Sequence, residues 1–397
     1  MSIRKVTWTT KDGKEHSSFV LFYLAGRKEN GKPNRIQETF ATKAEAKDRE
    51  AEIAREKKLG THTPISQSKT ITEVWDLWLD HCAAEGIERG TLEQRRQHLT
   101  LHVADFIGQR KLAELSGPGV NDYLDALREA GRSASMRQKV LINLRIVLKF
   151  AMARGYVTQN VASAATVKRD SGRDETPLTE GVDFPTRPEI QLLIQNAPAR
   201  WRPFIVSAIF TGMRASELRG LKWDDVDLES GFVRVRQRAD KWGTIGKPKS
   251  KKGNRDIPLA PIVMNSLRQW RETCPKGKLD LVFPNGRGNP ESLTNIYKRF
   301  WQPLQAKCGL ADGQGNHKYG FHMLRHAACS LFIAYLGWTP KKISTVMGHS
   351  SIAITFNRYG HLFENKEADK EGCRCSIDAV FFSSSAMETM KAASLLS

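Results

Sequence analysis

MGHSSIAITFNRYGHLF, residues 347–363, sets one tyrosine, Tyr359, ten residues after His349 and directly after Arg358. A phenol with its ordinary pKa near ~10 is a weak nucleophile, so a tyrosine that attacks needs cations and histidines near it. Further back, three stretches supply them. HMLRH, 322–326, puts His322 and Arg325 three residues apart, on one side of a helix. KPKSKKGNRDIPL, 247–259, is a lysine-rich segment running into a strand-like Asp256-Ile257-Pro258-Leu259. TGMRASELRGL, 211–221, carries Arg214 and, one helical turn later, Glu217, with Gly212 permitting a tight turn into the helix and Leu218 and Leu221 turned inward. From the four stretches a set of two arginines, a lysine, two histidines and a tyrosine can be drawn, with no acidic metal cluster among them. That set suits attack on a phosphodiester by a protein side chain, with fixed cations taking the part a metal plays elsewhere.

Composition agrees with a nucleic-acid partner. The 397 residues are enough for two or three domains, and 40% of them are apolar, enough for sizeable cores. Lys and Arg number 62 against 43 Asp and Glu, a net charge of +19. A surplus of that size points to a polyanion, since phosphate neutralisation dominates such affinity. No apolar run is long enough to span a membrane, and MSIRKVTWTT at the N-terminus lacks a signal-peptide core, so a cytoplasmic location is expected. The cysteines (Cys82, Cys274, Cys308, Cys329, Cys373 and Cys375) are scattered and read as free thiols. Neither metal nor cofactor is expected. His322 and His326 have the i, i+4 spacing of zinc ligands, but no Glu follows the first and no third ligand is evident.

Capping and turn signals divide the chain. Residues 1–64 read as strands Val6–Thr10, Phe19–Leu24 and Ile36–Phe40, parted by Lys11-Asp12-Gly13 and Glu29-Asn30-Gly31, then a helix from Lys43 to Lys58. Thr42 and Glu45 form its capping box and Gly60 its stop. This piece carries 14 Lys and Arg against 9 Asp and Glu, and a basic three-stranded sheet suits a DNA groove. After a polar linker, Thr61–Lys69, residues 65–165 read as a helical bundle. Thr70-x-x-Glu73 caps a stripe of Val74, Trp75, Trp78, Leu79 and Cys82. Thr91-x-x-Gln94 opens a second helix, Gly119–Ala130 is a third stopped by Gly131, and Ser135-x-x-Gln138 opens a fourth stopped by Gly155. That fourth helix turns Val140, Leu144, Val147, Leu148 and Ala151 inward. Arg95, Arg96, Arg110, Lys111, Arg132, Arg137 and Lys139 are the outward candidates for a DNA face. Residues 166–185 are a second polar linker. Residues 186–363 open with Thr186-x-x-Glu189, continue through a helix at Phe204–Thr211 and strands at Phe232–Val235 and Asp256–Leu259, and are mostly helical from Ala260. The tail, 364–397, holds 4 Lys and Arg against 6 Asp and Glu and an apolar Ile377–Phe382.

The four motifs, in this order and spacing, resemble those of the tyrosine recombinases, the phage-integrase group of site-specific DNA strand-transfer enzymes. The resemblance covers residues 186–363 closely; 65–165 is similar to that family's core-binding domain and 1–64 to its arm-binding domain. It implies a multidomain, mainly α fold with small β elements: a three-stranded sheet plus helix, a helical-bundle core-binding domain and a mixed α/β catalytic domain. By the same resemblance, Arg214 and Arg325 clamp the scissile phosphate, a task suited to a forked, permanently charged guanidinium. Glu217 resembles the acidic residue that orients the cations, although alone it would read as half of an exposed i, i+3 ion pair. His322 hydrogen-bonds the phosphate or manages the nucleophile's proton, His349 matches the position held by His or Trp, and Tyr359 is the nucleophile, with Tyr319 and Tyr335 left as packing residues. The general acid for the departing 5′ oxygen is a lysine. Counting back from Ile257-Pro258 favours Lys249; one deleted hairpin residue favours Lys251.

The chemistry implied is a two-step, metal- and ATP-independent transesterification through a 3′-phosphotyrosyl link and a Holliday junction. The implied partners are double-stranded DNA attachment sites, a homotetramer on DNA, and accessory DNA-bending or directionality proteins, in a bacterial host cytoplasm at the nucleoid. A basic N-terminal unit favours an integrase of a phage or mobile element. The alternatives are a resolvase or a type IB topoisomerase-like enzyme with the same chemistry, and a non-catalytic DNA-binding regulator. The family's C-terminal segment often packs onto a neighbouring protomer, which makes Ala379–Phe382 a candidate for that contact.

Overall fold

The computed structural model describes residues 1–10, 12, 14–27, 32–58, 68–168, 178–248 and 251–363. They fall in two compact units, Met1–Ser171 and Gly172–Ser397. Lys11, Gly13, Glu29-Asn30-Gly31, Gly60, nearly all of the Thr61–Lys69 linker, 169–177 of the second linker, Lys249, Cys373, Cys375 and Ala379–Phe382 lie outside the described residues.

The first unit opens with β1 (Ser2–Thr9), β2 (Glu15–Arg27) and β3 (Pro33–Phe40), an antiparallel sheet in sequence order. The strands are longer than their apolar cores predict because ladder hydrogen bonds extend through the flanking polar residues, as in Thr9 opposite Glu15. Helix α1 (Lys43–Lys58) carries the expected box: Thr42 Oγ1 accepts from Glu45 N–H at 3.2 Å, and Glu45 Oε2 accepts from Thr42 N–H at 3.2 Å. Among the described side chains of this charged helix only Ala46 and Ile53, two turns apart, are fully buried, Ile53 packing with Leu21 and Tyr23. Val6, Trp8 and Leu24 of the sheet stay exposed.

The bundle comprises α2 (Ile71–Ala84), α3 (Arg89–His102), α4 (Gly117–Glu129) and α5 (Ala134–Ala153), with a π-helical turn at Ala104–Gly108. The Thr70–Glu73 capping box is present, a feature worth about 1 kcal/mol. Two expected helix starts move. Helix α3 begins at Arg89, two residues before Thr91, without a side-chain cap, because the chain turns at Gly86 in the left-handed region (φ 76°) and helix follows at once. Helix α5 is capped by Ser133, whose Oγ accepts from Met136 N–H at 3.3 Å, so Ser135 lies inside the first turn. The inward set of α5 is buried as expected, joined by Leu141. Arg137 is a correction to the outward set: it is buried, 8% exposed, on the side of α5 that carries Ala134 and Leu141.

The second unit begins with α6 (Arg187–Asn196), capped by the Thr186–Glu189 box, then α7 (Arg202–Thr211) and α8 (Ala215–Gly220). Helix α7 is apolar nearly all round and is buried accordingly. Strands β4 (Val226–Asp227), β5 (Phe232–Val235) and, later, β8 (Arg255–Pro258) make one antiparallel sheet, while β6 (Arg238–Ala239) and β7 (Ile245–Gly246) pair in a small hairpin. Helix α9 (Pro261–Thr273) follows; α10 (Leu293–Asn295) runs through a π-helical turn at Ile296–Trp301 into α11 (Gln302–Lys307). Helices α12 (Met323–Ala334), α13 (Pro340–Met347) and α14 (Ile352–Tyr359) complete the unit. Aromatic rings fill its centre: Trp201 stacks on Phe300 at 4.8 Å, and Phe204 packs against Phe283 and Phe321. Tyr319 is a packing residue, its hydroxyl donating to Glu189 at 2.9 Å, but Tyr335 is not, being 63% exposed. Among the described residues no helix is long and apolar enough to cross a membrane.

Candidate active site

Arg214 stands at the N-cap of α8, two residues after Gly212 ends α7 in the left-handed region at φ 62°. A side chain at 212 would be strained there, and its Cβ would lie 2.7 Å from Met347 Sδ. Arg214 is held three ways. Its N–H donates to Glu217 Oε2 at 2.9 Å, Nη1 to Glu217 Oε1 at 2.8 Å, and Nη2 to the Gly348 carbonyl at 3.0 Å. The i, i+3 pair is therefore no surface ornament, since Glu217 is 2% exposed.

The far side of Glu217 meets Arg255, which the motif reading passed over. Arg255 grips the carboxylate through both oxygens, Nη1 to Oε1 at 3.1 Å and Nη2 to Oε2 at 2.8 Å. It also donates to the carbonyls of Val346 at 2.5 Å and Gly253 at 3.0 Å. Burial alone would raise the Glu217 pKa; the hydrogen bonds and charge of Arg255, then of Arg214, overcome this and pull it to about 2. The signal for Arg255 was present in the sequence. In β8 it shares a face with Ile257, and a basic residue at an inward strand position calls for a buried partner.

Arg325 lies in the first turn of α12, 4% exposed. Nη1 donates to the Gly212 carbonyl at 2.6 Å and Nη2 to the Met347 carbonyl. Burial, then the charge of Arg214, push its pKa down to about 9, so it stays protonated at neutral pH. Two guanidiniums thus share one carboxylate and a third, Arg325, lies within its field, an excess of positive charge suited to an anion. His349 follows Gly348, itself left-handed at φ 63°, and its Nδ1 shares a 2.9 Å hydrogen bond with Thr355 Oγ1. Burial, then Arg325, Arg214 and Arg255, push His349 down to about 3. His322, at the N-cap of α12, is pushed down by desolvation and then by Arg325 and Arg214. Both rings are neutral at neutral pH.

Tyr359 ends α14, 2% exposed, and its hydroxyl hydrogen-bonds Nδ1 of His326, the second residue the motif reading left without a role. The i, i+4 spacing that suggested zinc puts His322 and His326 edge to face, ring centroids 5.3 Å apart. Among the described residues no group of three or more His, Cys, Asp and Glu side chains is placed to hold a metal ion. Of the two lysine candidates, Lys249 is outside the described residues, and only the backbone of Lys251 is described, in a 3-10 turn at Lys251–Gly253. That turn is tied to the histidine loop: Lys252 Nζ donates to the Ser350 carbonyl at 2.9 Å. The structure therefore gathers Arg214, Glu217, Arg325, His322, His349 and Tyr359 in one unit and adds Arg255 and His326.

Residues 186–366 match the phage integrase family. A XerC-like tyrosine recombinase of Caldanaerobacter subterraneus subsp. tengcongensis is 25% identical over 393 residues, 92% of this chain and 97% of that one. An integrase of Streptomyces ambofaciens is 29% identical over 335 residues, 80% of this chain and 82% of its own. Among solved structures, the Tn1549 transposon integrase in complex with transposon right end DNA superposes with a TM-score of 0.62 at 21% identity, covering 78% of this chain and all of that one. A lambda integrase tetramer bound to a Holliday junction gives 0.57 at 19% identity, covering 89% and 94%. At such identities the superpositions speak for the fold, and the sequence matches carry the family: residues 186–366 form a phage integrase family domain, and the relatives matched along most of the chain are tyrosine recombinases and integrases.

Proposed function

We propose that this chain is the integrase of a phage or other mobile element, inserting and excising DNA by tyrosine-mediated transesterification. The observation that carries the reading is the paired-arginine cluster built around Glu217, with its excess of positive charge, in the same unit as a buried, hydrogen-bonded Tyr359. In the proposed cycle Arg214 and Arg325 bind the non-bridging oxygens of the scissile phosphate and stabilise charge gathering on the phosphorane-like transition state. Neutral His322 and His349 supply hydrogen bonds to the same group. Tyr359 Oη forms a bond to phosphorus, the P–O5′ bond breaks, and Lys249 or Lys251 protonates the departing oxygen. The 3′-phosphotyrosyl link conserves the bond energy, so a 5′ hydroxyl from a second duplex can reverse the step on a new partner.

Residues 1–64, 65–165 and 186–363 would serve as arm-binding, core-binding and catalytic domains, joined by the linker 166–185 and followed by the tail 364–397. Four protomers would assemble on double-stranded DNA attachment sites and pass through a Holliday junction, with DNA-bending or directionality proteins as further partners. The lambda integrase tetramer on such a junction supports the assembly, and the Tn1549 integrase on transposon end DNA supports the mobile-element role. The XerC-like relative favours a second reading, a resolvase with the same chemistry. Footprints distinguish them: an integrase protects two kinds of site, a resolvase one.

The deciding experiment is strand cleavage in EDTA on supercoiled plasmid carrying the element's end sequences, with wild type and Tyr359→Phe compared on a denaturing protein–DNA gel. A covalent adduct from wild type alone is expected. Intact DNA binding with no adduct from either would move the reading to a non-catalytic regulator.

A further inference from the structure

We propose that His326 receives the proton of Tyr359 as the tyrosine attacks the scissile phosphodiester; this deepens, and rests on, the recombinase reading above. The geometry comes first. Tyr359 hydroxyl and His326 Nδ1 are hydrogen-bonded, with ring centroids 5.9 Å apart. A nucleophile within hydrogen-bond reach of a base is the arrangement that nucleophilic catalysis requires. The base sits on a rigid element, one residue after the Arg325 clamp and one turn after His322, whose ring meets it at 89°. Helix α12 thus delivers anion binding and proton acceptance from consecutive residues.

The protonation states agree with that direction. Burial raises the Tyr359 pKa above its ordinary value, so the phenol keeps its proton and donates it. Nδ1 of His326 must then accept, which leaves the ring proton on Nε2. Burial, then His322, Arg358 and Arg325, push His326 down to about 4, with Asp183 opposing them, so its lone pair is open at neutral pH. The groups facing the pair are His322, Arg325 and Cys329 of α12, His349 after α13, Arg358 of α14, and Asp183 ahead of α6. In the free protein the two groups are far from matched, and the tyrosine stays protonated. A phosphodiester bound between Arg214 and Arg325 brings the negative charge that offsets the cations holding His326 down, and the acceptor strengthens when the substrate is in place.

The step balances. A Tyr359 Oη–P bond forms as the P–O5′ bond breaks, the phenolic proton passes to His326 Nδ1, and the 5′ oxygen takes its proton from the lysine ammonium. In the second transesterification the incoming 5′ hydroxyl returns a proton to the lysine, and His326 reprotonates the departing tyrosine.

The test is single-turnover adduct formation by the full chain on a nicked suicide substrate, for wild type, Tyr359→Phe, His326→Ala and His326→Asn, each checked for thermal stability and DNA affinity. His326→Ala should slow adduct formation by about 10²–10⁴-fold, and added imidazole should restore it with a pH dependence. His326→Asn keeps an acceptor but not a base; it should fold like wild type and stay slow. A substrate with sulfur in the 5′ bridging position, whose leaving group needs no proton, should rescue neither variant. Wild-type rates in either variant, slow His326→Ala without imidazole rescue, or full rescue by the sulfur substrate would each overturn the assignment. A wild type that forms no adduct would instead sink the recombinase reading itself.

Discussion

Replacing Glu217 by Gln tests whether one buried carboxylate holds the cationic cluster together. Its pKa falls from 4.5 to about 2 in the folded chain, and at about 1.4 kcal/mol per pH unit the ion pair is worth about 3 kcal/mol. A folded-state value below the unfolded one places that stabilisation above about pH 4.5 and removes it as pH falls through about 2. At neutral pH the Gln variant leaves the 6% exposed Arg255 without its charge partner, and breaking a buried pair from one side costs about 3–5 kcal/mol. For a unit of this size that lowers the melting temperature by about 10 °C. Differential scanning calorimetry of the full chain reads the shift, and the adduct gel reads the loss of Arg214 alignment. The double variant Glu217→Leu, Arg255→Met separates the two effects. An apolar pair of similar volume is often neutral or stabilising, so the melting temperature should recover while adduct formation stays lost, because Arg214 keeps only its Gly348 contact. A Gln variant losing under about 1 kcal/mol, or a double variant that cleaves, would refute the reasoning.

Arg214→Ala and Arg325→Ala should each abolish adduct formation while DNA binding largely survives; binding lost in proportion to cleavage would count against the clamp role. Gly212→Ala should destabilise the second unit by about 1–3 kcal/mol, since φ is 62° and the new Cβ would press on Met347 Sδ; a melting temperature within error of wild type would contradict that packing. Acid should weaken the same unit through its histidines. His326 and His349, at about 4 and 3 when folded against 6.5 when unfolded, lose their contribution as pH falls below about 6.5. Chemical unfolding at pH 7, 5.5 and 4.5 checks the trend, and a flat profile would mean that the rings are not buried neutral.

Most of the helices were legible in the sequence because their signals are local. Thr42, Thr70 and Thr186 each cap as their spacing to Glu45, Glu73 and Glu189 requires. The errors arose where several caps compete: Ser133 and Ser135 differ by two residues, and it is Ser133 whose Oγ accepts from Met136 N–H. Arg137 shows the limit of composition, since a helical arginine reads as solvated until its face is known. In the site, the motif residues stand at offsets that can be counted along the chain, Arg214 three before Glu217, His322 three before Arg325 and His349 ten before Tyr359. Arg255 and His326 take their roles from contacts 38 and 33 residues away along the chain; the inward strand position of Arg255 signals a buried partner but not which one, and His326 carries no local signal for Tyr359.

The choice of partners for the site's arginines has a physical reason. Acidic residues would hold guanidiniums well, but they would cancel the charge that a phosphate needs. Carbonyls hold them without cancelling it. Apart from Gly253, the carbonyl acceptors here are Gly212, at the C-terminal end of α7, and Val346, Met347 and Gly348, at the C-terminal end of α13. Those are the positions where a helix leaves carbonyls without internal partners and where its dipole is negative. Both ends close through a left-handed glycine, Gly212 and Gly348, and each glycine lets the chain turn so that the next functional residues, Arg214 and His349, leave the helix end directly. The glycines in TGMR and MGHS therefore mark two helix ends that meet at Arg325. One carboxylate, Glu217, is then enough to orient the cluster, and the remaining positive charge stays available to the substrate.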